Sequence, residues 1–221
     1  MLQSKTQTDE FKHKTQRKKL LDQLKEKGIT DQRVLDALDK IPRHFFLDTA
    51  FEHYAYEDQA FSIAAGQTIS QPYTVAFQTE LLDIKKFDKV LEIGTGSAFQ
   101  SCVLAEMGAK VFTIERQRKL YDFINNFFFI KKYPSIRRHL GDGYNGLATF
   151  APFDKVLVTA GVPFIPPKLI EQLKPGGIAV MPVGDDNHQI MYRIRKEIDG
   201  SITQESFGNF MFVPMLIGIN D

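Results

Sequence analysis

The chain has 221 residues, enough for one sizeable domain, and its 43% hydrophobic and 25% charged content match an ordinary soluble globular protein. A formal net charge of +1 gives no electrostatic ground for nucleic acid, a membrane surface or an acidic partner. The only cysteine, Cys102, excludes an intrachain disulfide and fits a reducing, cytoplasmic setting, and no apolar run has the length of a signal core or membrane span.

Residues 1–19 carry six Lys or Arg against Asp9 and Glu10, with no apolar period before Leu20. Residues 1–16 are therefore read as a mobile basic tail, ahead of a single domain over 17–221. Residues 16–27 place Leu20, Leu21 and Leu24 on one helical face, with Gly28 as a stop. Residues 30–41 do the same with Val34, Leu35, Leu38 and Ile41, and Pro42 ends that helix. The aromatic-rich stretch 45–61 lacks clean periodicity and reads as packed irregular structure with a short helix. The run GQTISQPY (66–73) is polar and turn-prone and precedes an amphipathic stretch with Val75, Thr79 and Leu82 on one face. Its hydroxyls, Thr68 and Ser70, have two readings: a helix cap, with Pro72 in the first turn, or contacts to a substrate.

From residue 88 the pattern alternates. DKVLEI, AKVFTIER, SIRRHLGDG, DKVLVTAG and IAVMPVG read as strands. SAFQSCVLAEMG, a long helix over 118–133, and PKLIEQLKPGG read as helices between them. This βα alternation predicts a mostly parallel sheet covered on both faces. The end changes character: strands flank the turn signal Asp199-Gly200, and FMFVPMLIGI (210–219) reads as a final apolar strand, giving the sheet an antiparallel edge. The histidines (His13, His44, His53, His139, His188) are scattered, and no Cys or His pair has metal-ligand spacing, so no metal is expected.

LEIGTGSAF (91–99) is a strand entering a glycine-rich turn that opens a helix, which lets backbone N–H groups approach a ligand closely. Structural turns use glycine too, so the context carries the reading. Glu115 closes the next strand, where its carboxylate accepts ribose hydroxyls in such sheets, and GDG (141–143) falls in the same row of strand ends. A nicotinamide cofactor calls for G-x-G-x-x-G, whereas this chain has Gly94-x-Gly96-x-Ala98, then Phe99, preceded by Glu92. An acid beside the glycines suits a cationic ligand better than a pyrophosphate. The pattern resembles the S-adenosylmethionine loop of Rossmann-like methyltransferases. On that resemblance Glu92 lies near the aminoacyl end, Glu115 at the ribose and Asp142 at the adenine.

Three further stretches, GQTISQP (66–72), VLEIGTGSAFQ (90–100) and FVPM (212–215), resemble the protein-L-isoaspartate O-methyltransferase family. APFDKVLVTAG (151–161), LIEQLKPGG (169–177), MPVG (181–184) and DGSITQ (199–204) extend the resemblance collinearly from about residue 17 onward. It implies a Rossmann-like α/β fold, with a seven-stranded, mostly parallel sheet, an antiparallel C-terminal edge and added N-terminal helices. Residues 17–87 would form the helical, substrate-side region, 88–184 the cofactor-binding core and 185–221 the C-terminal strands. The implied activity is methyl transfer from S-adenosylmethionine, leaving S-adenosylhomocysteine, to the free α-carboxyl of L-isoaspartyl residues in damaged proteins and peptides. Ester cyclisation to a succinimide then opens the way to repair. A carboxylate with a pKa of about 4 is already ionised at neutral pH and needs no strong base. Holding the reactants in line contributes roughly 7–11 kcal/mol.

By position, the resemblance makes Ser70 the active-site serine, orienting the acceptor carboxylate. Thr68 and Ile69 line the meeting point of cofactor and substrate. Gly94, Gly96, Ser97 and Glu115 hold the cofactor, with Gly141 and Asp142 at its adenine end. Val213 and Pro214 border a peptide groove, where main-chain pairing is expected. The expected form is a cytoplasmic monomer without metal, acting on isoaspartyl proteins and not on nucleic acid or membranes. The family loop usually reads G-x-G-S-G-Y. If position 98 is left-handed, Ala98 costs roughly 1–2 kcal/mol; if it lies in the opening turn of the helix, Ala98 is harmless, and this second case is expected. Ala64-Ala65 replaces a more glycine-rich lead into GQTISQP, Phe99 lacks a tyrosine hydroxyl, and Gly161 stands where Ala is common. The competing readings are a methyltransferase of this fold acting on another carboxylate or small acceptor, a non-catalytic module recognising carboxylates, and a nicotinamide oxidoreductase, which the glycine spacing opposes.

Overall fold

A computed structural model describes residues 8–185 and 187–221. Helix α1 spans Phe11–Glu26, so the expected mobile tail is corrected over residues 8–16, while residues 1–7 lie outside the described residues. Polar pairing anchors this start, and apolar periodicity had no way to signal it. Buried Arg17 donates to both Asp9 oxygens (3.1 and 3.0 Å), to Asp39 (3.2 Å) and to the Tyr56 hydroxyl (3.0 Å). Buried His13 stacks on His44 with ring centroids 3.8 Å apart and meets Glu52 at 3.1 Å. Ligand atoms of Asp9, His13 and His44 come within 4.8 Å of one another. Each ring nitrogen already has a protein partner, and Arg17 holds Asp9, so the cluster works as a clamp on the start of α1. Helix α2 (Gln32–Lys40) follows, capped by the Asp31 side chain on Arg33 N–H. The aromatic stretch folds as two 3-10 turns, Arg43–Phe46 and Thr49–Tyr54, as its broken periodicity suggested.

A small hairpin, β1 (Phe61–Ser62) with β2 (Thr68–Ile69), leads into α3 (Pro72–Leu82). The main sheet is built from β3 (Lys89–Ile93), β4 (Lys110–Glu115), β5 (Ile136–Leu140), β6 (Phe153–Val158), β7 (Leu173–Gly184), β8 (Gln189–Lys196) and β9 (Ile202–Phe210). Its order is β5-β4-β3-β6-β7-β8-β9; the first five strands run parallel, and β8 is antiparallel to both neighbours. This is the expected seven-stranded sheet with an antiparallel C-terminal edge. Strand alternation divides the core. Val90, Val111, Leu157 and Val180 face α3 and α4 (Phe99–Glu106), and Leu91, Phe112, Val156 and Ala179 face the other layer, with Leu169 of α6 (Pro167–Glu171). No helix among the described residues is long and apolar enough to cross a membrane.

Three elements differ from expectation. The long helix over 118–133 stops early: α5 is Arg118–Asn126, and a 3-10 turn covers Ile130–Lys132. Phe127 and Phe129 both pack edge-on against Phe46, at 5.1 and 5.3 Å, whereas a helix would send residues two apart to different faces. The helix expected to reach Gly177 ends at Glu171; Pro175 is incompatible with its interior, and Leu173 instead pairs with Phe153. Finally, FMFVPMLIGI forms no strand beyond Phe210. Pro214 lacks an N–H, and the segment crosses the strand ends, touching the sheet's loops through single bridges of Gly161 with Pro214 and Gln117 with Asn220.

Candidate functional site

Strand order reverses between β3 and β6: the chain goes from β3 outward through β4 and β5, then returns to the other side of β3. Loops leaving such neighbours diverge and open a crevice at their C-terminal ends. A cleft lies there, between the loop after β3, the end of β4, Thr159 after β6 and residues 213–216. Ligands of open α/β sheets bind in this place.

The glycines are required by geometry. Gly94 has φ +96°, and a Cβ there would come within 2.5 Å of Thr159 Oγ1; that hydroxyl donates to the carbonyls of Ile93 and Gly94 at 2.9 and 2.8 Å. Gly96 has φ +52°. At Gly143 a Cβ would meet Ile93 Cγ2 at 2.3 Å. At Gly94 and Gly143 a side chain would collide with Thr159 and Ile93, which themselves line the cleft, so only bare backbone fits at these points of its wall. The N–H groups of Gly94 and Thr95 both donate to Ile114 O, folding the loop back over β4.

Glu115 is buried and closes one side of the cleft. Its Oε2 accepts the Gly96 N–H at 2.9 Å and its Oε1 accepts the Gln117 N–H at 2.8 Å. Burial pushes its pKa up, while the Gln117 and Gly96 amides pull it down. A carboxylate has about four acceptor sites, so two remain for hydroxyls of a ligand.

The structure brings Thr68, Ile69, Ser70, Gly94, Gly96, Ser97, Glu115, Val213 and Pro214 together around this cleft. It places three expected residues elsewhere. Glu92 is fully buried on the α4 side of β3, because alternation turns it away from the cleft; its Oε2 is bound by Ser101, and its Oε1 has no partner among the described residues. Burial pushes its pKa up to about 7, so it is no fixed anion for a cationic ligand. Gly141 spends its N–H on Glu115 O, and Asp142 accepts from Tyr144 N–H and Gly218 N–H, both at 2.9 Å. Neither lines the cleft; their neighbour Gly143 does.

Ser70 does not cap α3. The N-cap is Gln71, and Asp58 takes over the work, accepting Tyr73 N–H at 2.7 Å and Gln71 Nε2 at 3.1 Å. The Ser70 hydroxyl makes no hydrogen bond among the described residues and stays half-buried at the cleft. Ala98 corrects a second expectation: it is the left-handed N-cap of α4, at φ +67°, ψ +11°, and does not lie in the helical turn. Ala65 is left-handed as well, at φ +58°.

Sequence reasoning missed Thr159, Thr95, Gln67, Arg116 and Leu216 as lining residues. Thr159 had a readable signal, since it ends β6 beside β3. Thr95 and Gln67 lie within the glycine turn and GQTISQP, and Arg116 and Leu216 directly follow Glu115 and FVPM, so each adjoined a motif already singled out. Arg116 Nε donates to Gly218 O at 3.0 Å, and Arg118 N–H donates to Asn220 O, so the stretch after Pro214 is pinned to the end of β4.

Three comparisons bear on this site. The family model described as "Protein-L-isoaspartate(D-aspartate) O-methyltransferase (PCMT)" matches residues 15–219. A protein-L-isoaspartate O-methyltransferase of Flavobacterium johnsoniae is 53% identical over 210 residues, covering 94% of this chain and 97% of the relative. One of Christiangramia forsetii is 51% identical over 208 residues, with the same coverage of 94% and 97%. Among solved structures, a protein-L-isoaspartate O-methyltransferase superposes with a TM-score of 0.81 at 27% identity, over 91% of this chain and 67% of its own. A Plasmodium falciparum structure, titled as such an enzyme in complex with S-adenosyl-L-homocysteine, gives 0.78 at 23% identity over 92% and 98%, and shows likeness of fold.

Proposed function

The chain belongs to the protein-L-isoaspartate O-methyltransferase family, and on that premise we propose that it transfers the methyl group of S-adenosylmethionine to the free α-carboxyl of L-isoaspartyl residues in damaged proteins. The cleft residues fit that cofactor. Gly94, Gly96 and Gly143 line the cleft with bare backbone, and Glu115 keeps acceptor sites free beside it. The cofactor supplies a methyl group already activated by a sulfonium charge.

What the chain's own residues must do is orient. The acceptor carboxylate is ionised at neutral pH, so no proton has to be removed from it. Ser70 presents a hydroxyl without an internal partner and donates to one carboxylate oxygen, which turns the other toward the cleft. Thr68 and Ile69 form the short wall beside it. Ser97 and Glu115 hold the cofactor side, and Val213 and Pro214 cover the cleft from the opposite edge.

The observation that carries the reading is that Thr68 and Ser70 line two cavities at once, the glycine-walled cleft and a wider open groove ending at residues 207–212. A site that joins the glycine-walled cleft to an open groove suits a chain as acceptor better than a small free acid. The lone, buried Cys102 fits a reducing cytoplasm. The test is transfer of radiolabelled methyl to a peptide carrying L-isoaspartate and to its L-aspartate twin. Labelling confined to the isoaspartyl peptide is expected; equal labelling of both rejects the reading.

A further inference from the structure

The groove beyond Ser70 has an aromatic wall. Tyr73 stacks on Phe77 with centroids 5.6 Å apart and planes 19° from parallel. Phe77 in turn stacks on Phe210 (5.5 Å, 23°) and meets Phe207 edge-on (6.0 Å, 75°). Helix α3 supplies the first two rings, four residues apart and so on one face. Strand β9 supplies the others in a less ordinary way. Residues three apart in a regular strand point to opposite faces. Here the register shifts by one: Ile190 pairs with Asn209 but Met191 with Phe207. Gly208, at φ +47°, takes up the extra residue, and this bulge brings Phe207 and Phe210 to the same side, against Phe77.

These four rings are half-buried, not sealed into the core, and Met211 at the rim is 81% exposed. Among the described residues no Asp, Glu, Lys or Arg lines the groove and His188 is its only imidazole, while Lys27 lies over the Tyr73 ring (5.8 Å) and Arg193 over the Phe207 ring (5.2 Å). The wall is continuous with the acceptor side of the site, because Thr68 and Ser70 border both spaces. Rings left half open gain from being covered by an apolar group, most of all by another ring. An acidic side chain there would lose water, and the two cations over the rings are already paired, Lys27 with Asp58 and Arg193 with Glu205.

We propose that the ring wall is a specificity subsite that takes an apolar, preferably aromatic, side chain flanking the isoaspartyl residue. The proposal rests on the function argued above. It makes damage inside apolar segments the preferred target.

The test compares short isoaspartyl peptides that differ only in one flanking residue, Phe, Ser or Glu, placed on either side of the isoaspartate. At one flank, kcat/KM for the Phe peptide should exceed that of the Ser peptide by roughly three- to tenfold, mostly through KM. The Glu peptide should do no better than Ser. In Phe77→Ala, and separately in Phe207→Ala on the sheet edge, the Phe-to-Ser ratio should fall to about one. The ratio is independent of how much enzyme is folded. Equal kcat/KM at both flanks in the unaltered enzyme overturns the subsite, as does a preference that survives both variants. Absence of transfer to every isoaspartyl peptide overturns the assigned reaction and takes the subsite with it.

Discussion

The amide of Gly96 donates to Glu115 Oε2 at 2.9 Å, which joins the turn after β3 to the end of β4 through one carboxylate. In the proposed function Glu115 therefore serves the cofactor twice, as a ligand and as the anchor of the loop beside it. Glu115→Gln keeps the volume but turns an N–H toward an N–H on one side. A hydrogen bond to a charged group contributes about 1.5–3 kcal/mol, so affinity for S-adenosylhomocysteine should fall by roughly 10- to 100-fold. Titration calorimetry measures this directly. An unchanged dissociation constant would remove Glu115 from the cofactor site.

Ser70 sits on the other side of the reaction. Ser70→Ala should lower turnover on an isoaspartyl peptide by about tenfold or more, the loss of one charge-assisted hydrogen bond. Binding of S-adenosylhomocysteine should stay within about twofold, since Glu115 and the glycine loop are untouched. If both decline together, the serine holds the loop in place and does not orient the acceptor.

The sheet was legible in the sequence because strands and helices of ordinary length alternate from residue 88 onward. The site was legible where residues sit on that frame: Gly94, Gly96 and Glu115 follow strand ends. Glu92 misled because a one-residue step in a strand reverses the face, and nothing in the string LEIG says which face the cleft takes. Ser70 misled as a cap because Asp58, twelve positions earlier, is brought in by folding and does that work. Residues 8–16 lacked an apolar period, and their anchor is a polar clamp of Arg17, His13 and His44 whose partners lie far along the chain.

Ala98 gives a stability prediction. A left-handed alanine costs roughly 1–2 kcal/mol, and glycine returns about 0.5–1 kcal/mol of that through its freer unfolded chain. Ala98→Gly should therefore raise the unfolding free energy by about 0.5–1 kcal/mol in urea titrations. A lower value would mean that the Ala98 methyl group, fully buried, packs well enough to offset its backbone strain.

Glu92 gives the pH dependence. Burial raises its pKa from 4.5 to about 7, so its proton is held more tightly in the folded chain. The stability this contributes is full below about pH 4.5 and is lost as pH rises through about 7, with a ceiling of about 3 kcal/mol. Glu92→Gln stays neutral throughout. Relative to the unaltered chain, it should gain stability steadily from pH 4.5 to 7.5 and level off above. Urea unfolding of both proteins across that range measures the difference; a flat difference would show that Glu92 does not change its charge there.

The stretch after Pro214 pairs with Arg116, which precedes it by about a hundred residues; the hydrogen bond from Arg116 to Gly218 spans 102 positions. A ribosome therefore releases the glycine turn and its carboxylate long before the residues that complete their far wall. A nascent chain that has emerged only to β9 carries a cleft missing Val213, Pro214, Met215 and Leu216.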